Sequence, residues 1–218
     1  MPHEPLLAGR VLAHEVLARL AKRRPLFHSE ADLQHAFARA LWEMDDELDV
    51  RLEARQPGPR AEYLDLYVLG PTARTAVEFK YFTRGWAGTT GPEQELYDLR
   101  SHAATDLARL GYIRDIERLE RFGATSHHNG LAIMLTNESG LWLPPQRSRT
   151  RDAQFRIHEG RTLSGSLVWG HGDYPANNHS LTGTYTCHWR HYADLPDGTG
   201  SLQYLLIETH ATAQPAAR

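Results

Sequence analysis

The sequence predicts a mixed α+β fold in which helices flank a central mixed sheet and a β-rich segment follows. Residues 9–22 and 29–44 carry apolar side chains at helical spacing. Residues 62–82 (EYLDLYVLGPTARTAVEFKYF) contain two apolar runs around a Gly-Pro break, which is typical of a β-hairpin. Residues 130–137 (GLAIMLTN) are apolar almost throughout, which is typical of a strand buried on both faces.

The composition indicates a soluble globular protein. The 218 residues are 41% hydrophobic and 23% charged, with a formal net charge of −3 at pH 7. This charge argues against a general nucleic-acid coat protein, because non-specific binding depends on basic residues, but it allows a local basic groove. No apolar run approaches the roughly 20 residues of a membrane helix, and the start lacks the order of a signal peptide. We therefore expect a cytoplasmic protein that does not bind a membrane.

The first elements are two helices and a strand. The first helix is expected over residues 9–22. Ser29, followed three residues later by Asp32, matches a capping box and predicts the start of the second helix, whose apolar stripe ends at Met44. Residues 48–55 (LDVRLEAR) alternate apolar and charged side chains, which predicts a half-buried strand.

The predicted hairpin brings three charged side chains together. With a four-residue loop, Leu69 faces Arg74 and Asp65 falls directly opposite Glu78. Because side chains alternate along a strand, Lys80 shares the face of the two acids.

Such a patch suits a divalent cation better than it suits a sheet, because directly opposed like charges destabilise strand pairing. Hard cations such as Mg²⁺ take one or two carboxylates together with water and a phosphate oxygen. A neighbouring ammonium group can hold a metal-activated water or stabilise charge on a phosphate. The chain has 22 arginines but only two lysines, Lys22 and Lys80, so a lysine in an apolar strand is unusual here. The alternative is an ordinary charged strand face in contact with solvent.

Asp65, a gap of twelve residues and Glu78-Phe79-Lys80 resemble the active-site signature of the PD-(D/E)xK nuclease superfamily. The resemblance covers roughly residues 29–137 and implies a restriction-endonuclease-like core. It implies that Asp65, Glu78 and the Phe79 carbonyl bind Mg²⁺ or Mn²⁺, and that Lys80 positions or polarises the attacking water. The acid that often completes such a site corresponds to Glu30, whose alternative role is to complement the helix dipole.

The segment after the hairpin predicts a Gly- and Thr-rich loop over residues 83–92, then helices over residues 92–110 and 113–122. The resemblance implies that polar residues of these helices reach phosphate or water, and an aromatic residue of the loop could stack on a base or anchor the packing. The candidates for nucleic-acid contact are Gln94, His102, Arg109, Arg118 and, in the loop, Trp86.

The organisation predicted is a nuclease-like core over residues 1–137 and a β-rich extension over residues 138–218 that completes or extends the same sheet. The extension has no counterpart in the nuclease motif, and it could read the substrate or form a homodimer. A zinc site at Cys187, His188 and His191 is disfavoured, because adjacent strand residues point to opposite faces and four ligands are lacking.

Taken together, these patterns predict a metal-dependent phosphodiester hydrolase, a DNA endonuclease that would fit restriction or phage defence. The alternative is a catalytically inactive nuclease-fold module that binds nucleic acid or a protein partner. A third interpretation is an oligomeric interaction protein that uses the β-rich extension.

Overall fold

The computed structural model describes residues 4–56, 61–91, 93–122, 128–147 and 149–210. Within these ranges the helices and strands are β1 (Leu6–Leu7), β2 (Val11–Leu12), α1 (Ala13–Arg23), α2 (Glu30–Met44), β3 (Asp49–Arg55), β4 (Tyr63–Leu69), β5 (Arg74–Phe82), β6 (Trp86–Thr90), β7 (Glu95–Leu99), α3 (Thr105–Phe122), β8 (His128–Thr136), β9 (Thr162–Leu167), β10 (His179–Thr186), β11 (Trp189–Asp194) and β12 (Ser201–His210). No helix among them is both long enough and apolar enough to cross a bilayer.

The central sheet has six strands in the order β11-β12-β8-β5-β4-β3. Strands β5 and β8 run parallel, and the other neighbours run antiparallel. Parallel neighbours need a crossover, and α3 lies in the connection between β5 and β8. The prediction of a mixed sheet in an α+β fold is therefore confirmed. Strands β11 and β12 belong to the last third of the chain and continue the same sheet.

The two faces of the sheet bury separate apolar clusters. On one face α1 and α2 pack against β4, β5 and β8, and the rings of Phe37 and Phe79 meet edge to face with centroids 5.2 Å apart. On the other face α3 packs together with the separate β9–β10 hairpin. There the buried hydroxyl of Tyr112 donates a hydrogen bond to the carbonyl of Ala132 on β8. Side chains on β5 thus face either α2 or α3.

The start of α2 is formed as the sequence predicts. The Oγ atom of Ser29 accepts a hydrogen bond from the backbone N–H of Asp32 at 3.1 Å, which satisfies one of the free donors of the first turn. The cap therefore fixes where Glu30 enters the fold. Helix α1 begins four residues later than expected, because β1 and β2 form a short hairpin through Ala8 and Gly9, both with positive φ.

The helix expected over residues 92–110 is wrong for its first part. Glu95–Leu99 instead forms a strand that pairs with Trp86–Thr90, where a loop was expected. Tyr97 and Leu99 alternate into the core, and the Tyr97 ring stacks on His28 at 4.4 Å between centroids. This burial outweighs the helix-forming residues around it. Helix α3 then runs without a break through Gly111, where an end was expected.

Candidate functional site

Strand β4 separates from β5 at Asp65, while its pairing with β3 resumes at Leu64. The pairs Leu69 with Arg74 and Leu66 with Val77 follow the predicted register, and one more step would bring Asp65 opposite Glu78. The pairing ends before that step, and the described pairs of β3 with β4 also omit Asp65. The side chains of β4 change faces here: Leu66 packs in the cluster on the α2 side, whereas Leu64 packs in the cluster on the α3 side.

Beyond Val77, two carboxylates accept the backbone hydrogen bonds of β5 that pairing with β4 would otherwise accept. The Oδ2 atom of Asp65 accepts a hydrogen bond from the backbone N–H of Phe79 at 2.7 Å. The Oε2 atom of Glu30 accepts one from the backbone N–H of Tyr81 at 2.8 Å. Asp65 and Glu30, two of the three acids predicted from the sequence, are thus anchored to the strand that carries Glu78 and Lys80.

Glu78 and Lys80 project from β5 towards α3. The Nζ atom of Lys80 lies 3.0 Å from the carbonyl oxygen of Phe79 and 2.7 Å from Oδ2 of Asp115. One turn further along α3, the Nη2 atom of Arg118 is in direct contact with Oε2 of Glu78 and lies 3.3 Å from Oδ1 of Asp115. The site therefore joins two strands and two helices around the Phe79 peptide groups.

This cluster carries more negative than positive charge. Four carboxylates (Asp65, Glu78, Glu30 and Asp115) face two basic groups (Lys80 and Arg118), which leaves a formal charge of −2 when all are ionised. Burial and the neighbouring acids Asp65 and Asp115 raise the pKa of Glu78 to about 9, against the opposing effect of the two basic groups. An additional positive charge in the cluster would relieve this repulsion.

The pKa values of Glu30, Asp115 and Lys80 are also raised. Burial is the main cause of the raised pKa values of Glu30 and Asp115, and Lys80 opposes it in both cases. Burial alone would lower the pKa of Lys80, but the carboxylates of Asp115 and Glu30 outweigh it, so the pKa lies above its ordinary value. Lys80 is therefore an ammonium group at neutral pH.

Asp115 is the residue of this cluster that the sequence did not single out. It lies on the buried side of α3, with Tyr112 three residues before it and Ile116 beside it. An acid flanked at helical spacing by apolar residues such as Tyr112 and Leu119 is unusual, because a buried charge needs a partner. That pattern is the one sequence signal that could have identified it.

The available oxygens fit a hard divalent cation. The Oε1 atom of Glu78 is buried without a hydrogen-bond partner in the described part of the chain, and the Phe79 carbonyl oxygen lies 3.0 Å from Nζ of Lys80. Carboxylate and carbonyl oxygens are ligands that Mg²⁺ accepts, completed by water. Among the described residues no three His, Cys, Asp or Glu side chains are grouped closely enough to hold one ion. The candidate metal ligands are thus the carboxylates of Asp65 and Glu78 and the Phe79 carbonyl oxygen. The Glu30 carboxylate lies close to them.

The other residues predicted to contact nucleic acid lie away from this cluster. Arg109 is buried and paired with Asp152 at 2.6 Å. The His102 ring accepts a hydrogen bond from the Thr83 N–H, Gln94 lies in the β6–β7 turn, and the Trp86 indole N–H donates a hydrogen bond to Asp197. Cys187 is buried in the apolar cluster beside α3.

A groove of about 770 Å³ opens beside the cluster. One wall is the outer side of α3, with Gly111, Arg114, Arg118 and Arg121, and Tyr63 lines it from the start of β4. A β-carbon on Gly111 would lie 3.6 Å from Cε of Lys80, so the absence of a side chain brings this wall close to the lysine. The groove therefore includes Arg118, which contacts Glu78, and it is lined by Gly111, against which Lys80 packs.

No family model, curated protein or solved structure matches this chain. The functional assignment therefore depends on the residues and geometry described above.

Proposed function

We propose that the protein is a metal-dependent phosphodiester hydrolase that cleaves DNA, built on a restriction-endonuclease-like core. The observation that carries the proposal is the convergence of Asp65, Glu78, Lys80 and Glu30 around the peptide groups of Phe79 and Tyr81. Each of the four was singled out by the sequence motif. Their surplus of negative charge, with an unpartnered Glu78 oxygen, gives the cluster a reason to bind a cation.

Asp65, Glu78 and the Phe79 carbonyl would hold Mg²⁺ or Mn²⁺, and Glu30 would act on it through water. The ion would neutralise charge on a phosphate oxygen and lower the pKa of a bound water. Lys80, protonated and held by Asp115 and the Phe79 carbonyl, would donate a hydrogen bond to the attacking water or to a phosphate oxygen. Asp65 and Glu30 fix the strand edge on which these groups stand.

The groove supports a polymeric phosphate substrate. Arg114, Arg118 and Arg121 recur at one-turn spacing along α3, and arginine suits phosphate oxygens because its guanidinium offers two parallel donors. Tyr63, which is 45% exposed, offers a ring on which a base could stack. DNA is the substrate class we propose for this surface.

The test is cleavage of linear, circular, single-stranded and modified DNA, with RNA in parallel, in Mg²⁺, Mn²⁺ or chelator. Asp65→Asn, Lys80→Ala and Lys80→Arg should abolish cleavage while DNA binding persists, because a guanidinium cannot replace a compact ammonium donor. Lys22→Ala is the matched control, since Lys22 is the other lysine of the chain and lies on α1. Full activity of Asp65→Asn or Lys80→Ala would overturn the assignment.

One observation favours a second candidate, a nuclease-like module that only binds. Glu78 contacts Arg118 and Lys80 contacts Asp115, so the cluster already has internal ion pairs. Under this alternative, the groove would bind DNA equally well in chelator and in Mg²⁺, and no metal would bind at concentrations up to several millimolar. Metal-dependent cleavage would exclude it.

A further inference from the structure

Arg118 provides the positive charge that contacts the most deeply buried acid of the cluster. Its Nη2 atom touches Oε2 of Glu78, whose side chain is 1% exposed, and lies 3.3 Å from Oδ1 of Asp115. A carboxylate removed from water needs a cation or hydrogen-bond donors to compensate for lost hydration. Arg118 thus supplies at Glu78 the charge that a bound divalent cation would supply there.

The same side chain also faces the groove. Arg118 is 24% exposed and lines the wall formed by α3, between Arg114 and Arg121. Within the described residues Arg114 makes no ion pair, and Arg121 pairs only with Glu62 near the surface at 3.3 Å. A guanidinium in this position can reach either the Glu78 carboxylate or a phosphate in the groove, because its stem has several rotatable bonds.

We propose that Arg118 is a displaceable positioning residue, which occupies the position of a cation beside Glu78 until a divalent cation binds and then turns into the groove to hold a phosphate of the nucleic-acid backbone. This inference rests on the proposed function, since it concerns the same site. It makes the two binding events cooperative: the cation releases Arg118 for the phosphate, and the phosphate draws Arg118 away from Glu78. Thermodynamic linkage then requires that each ligand raises the affinity for the other by the same factor.

The first experiment is calorimetric titration of the metal-free protein with Mg²⁺ and with Mn²⁺, without nucleic acid. Arg118→Gln and Arg118→Met, the second of which keeps the apolar stem, should bind the metal about tenfold more tightly than the wild type. The expected increase in metal affinity is the same in direction whether the metal enters an ionised site or replaces a proton. In both cases metal binding adds positive charge to the cluster, and that charge is more favourable without Arg118. Circular dichroism and thermal melting confirm that each variant is folded.

The second experiment measures the affinity for a short DNA oligonucleotide in chelator and with Ca²⁺, a hard cation that also takes oxygen ligands. In the wild type Ca²⁺ should increase the DNA affinity at least fivefold, and in Arg118→Gln this increase should vanish. Arg114→Gln is the matched control, one turn away on the same wall. It should lower DNA affinity by a similar factor with and without Ca²⁺ and leave the Mn²⁺ affinity within twofold of wild type.

The outcomes separate the two proposals. Metal binding that is equal or weaker in both Arg118 variants overturns the displacement proposal and leaves the hydrolase intact. Retention of the Ca²⁺ effect on DNA binding in Arg118→Gln overturns it as well. Absence of metal binding in both the wild type and the variants overturns the displacement proposal together with the proposed function.

Discussion

The Nζ atom of Lys80 lies 2.7 Å from Oδ2 of Asp115, where α3 crosses β5. The Asp115 side chain is 8% exposed and that of Lys80 is 29% exposed, so the pair lies at the edge of the core. The ammonium group is held from one side by Asp115 and from the other by the Phe79 carbonyl. Asp115 thus fixes the direction of Lys80 although it belongs to another element of the fold.

We expect Asp115→Asn to keep the fold and lose function. Burial raises the pKa of Asp115, which means that its charge is less favourable in the folded than in the unfolded chain. The amide should therefore leave the free energy of unfolding at pH 8 equal or higher, whereas cleavage should fall about tenfold because Lys80 loses its charged anchor. Urea denaturation and cleavage rates measure the two effects. Asp106, on the same helix as Asp115, forms an exposed ion pair with Arg151 and provides the control. Asp106→Asn should change the free energy of unfolding by less than about 1 kcal/mol.

Glu78 should make the protein less stable as the pH rises. Its pKa is raised from 4.5 to about 9 by burial and by the neighbouring acids, so the folded state holds a proton that the unfolded state releases. The resulting stabilisation is complete below about pH 4.5 and is lost as the pH rises towards about 9. Glu78→Gln should therefore exceed the wild type in stability at pH 8 by more than about 1 kcal/mol and match it near pH 5.

Denaturant melts at a series of pH values test this expectation. Mg²⁺ supplies a second check, since it should stabilise the wild type at pH 8 and leave Glu78→Gln unchanged. Parallel pH profiles for the two proteins would contradict the assigned burial of the Glu78 charge.

Gly111 should tolerate one added methyl group and no more. A β-carbon there meets Cε of Lys80 at 3.6 Å, an ordinary contact, so Gly111→Ala should gain about 0.5–1 kcal/mol in stability from its better helix propensity. Gly111→Val adds branches that crowd the lysine, and cleavage should drop about tenfold or more. Thermal denaturation and rate measurements on the pair distinguish the two effects. Equal activity of the valine variant would show that Lys80 is not confined by this wall.

Arg109 should matter for stability and not for nucleic acid. Its pair with Asp152 is buried, with both side chains 4% exposed, and it also donates to the Gly140 carbonyl. Arg109→Gln should cost about 3 kcal/mol of unfolding free energy, because Asp152 loses its main buried partner. The exposed Arg114→Gln should cost less than about 0.5 kcal/mol. A loss of DNA affinity in a folded Arg109→Gln protein would restore the role that the sequence suggested.

Local signals predicted much of the site. The Ser29 cap placed Glu30 in the first turn of α2, and the turn after Leu69 set the register that brings Asp65 towards Glu78. These features depend on residues near each other in the chain, where turn and cap chemistry decide the backbone.

Features that depend on distant partners were not predicted. The strand containing Tyr97 and Leu99 forms because it pairs with β6 and buries two side chains, which outweighs local helix propensity. Asp115 joins the cluster only because α3 packs on β5, and no neighbouring residue indicates that its partner is Lys80. Likewise, the carboxylate of Asp65 accepts a hydrogen bond from a backbone amide because β4 separates from β5 at this residue. The alternation of side chains along a strand does not predict that separation.

The interruption of β4 has a consequence for interpreting any relative of this chain. Asp65 and Glu30 hold backbone amides of β5, so a descendant that had lost catalysis would still need an acceptor at both positions. Glu78 holds no such amide in the described chain, and its buried carboxylate needs a proton or a neighbouring cation such as Arg118. Under the proposed function, retention of Glu78 together with Lys80 would therefore mark an active relative, whereas retention of Asp65 and Glu30 would report only on the fold.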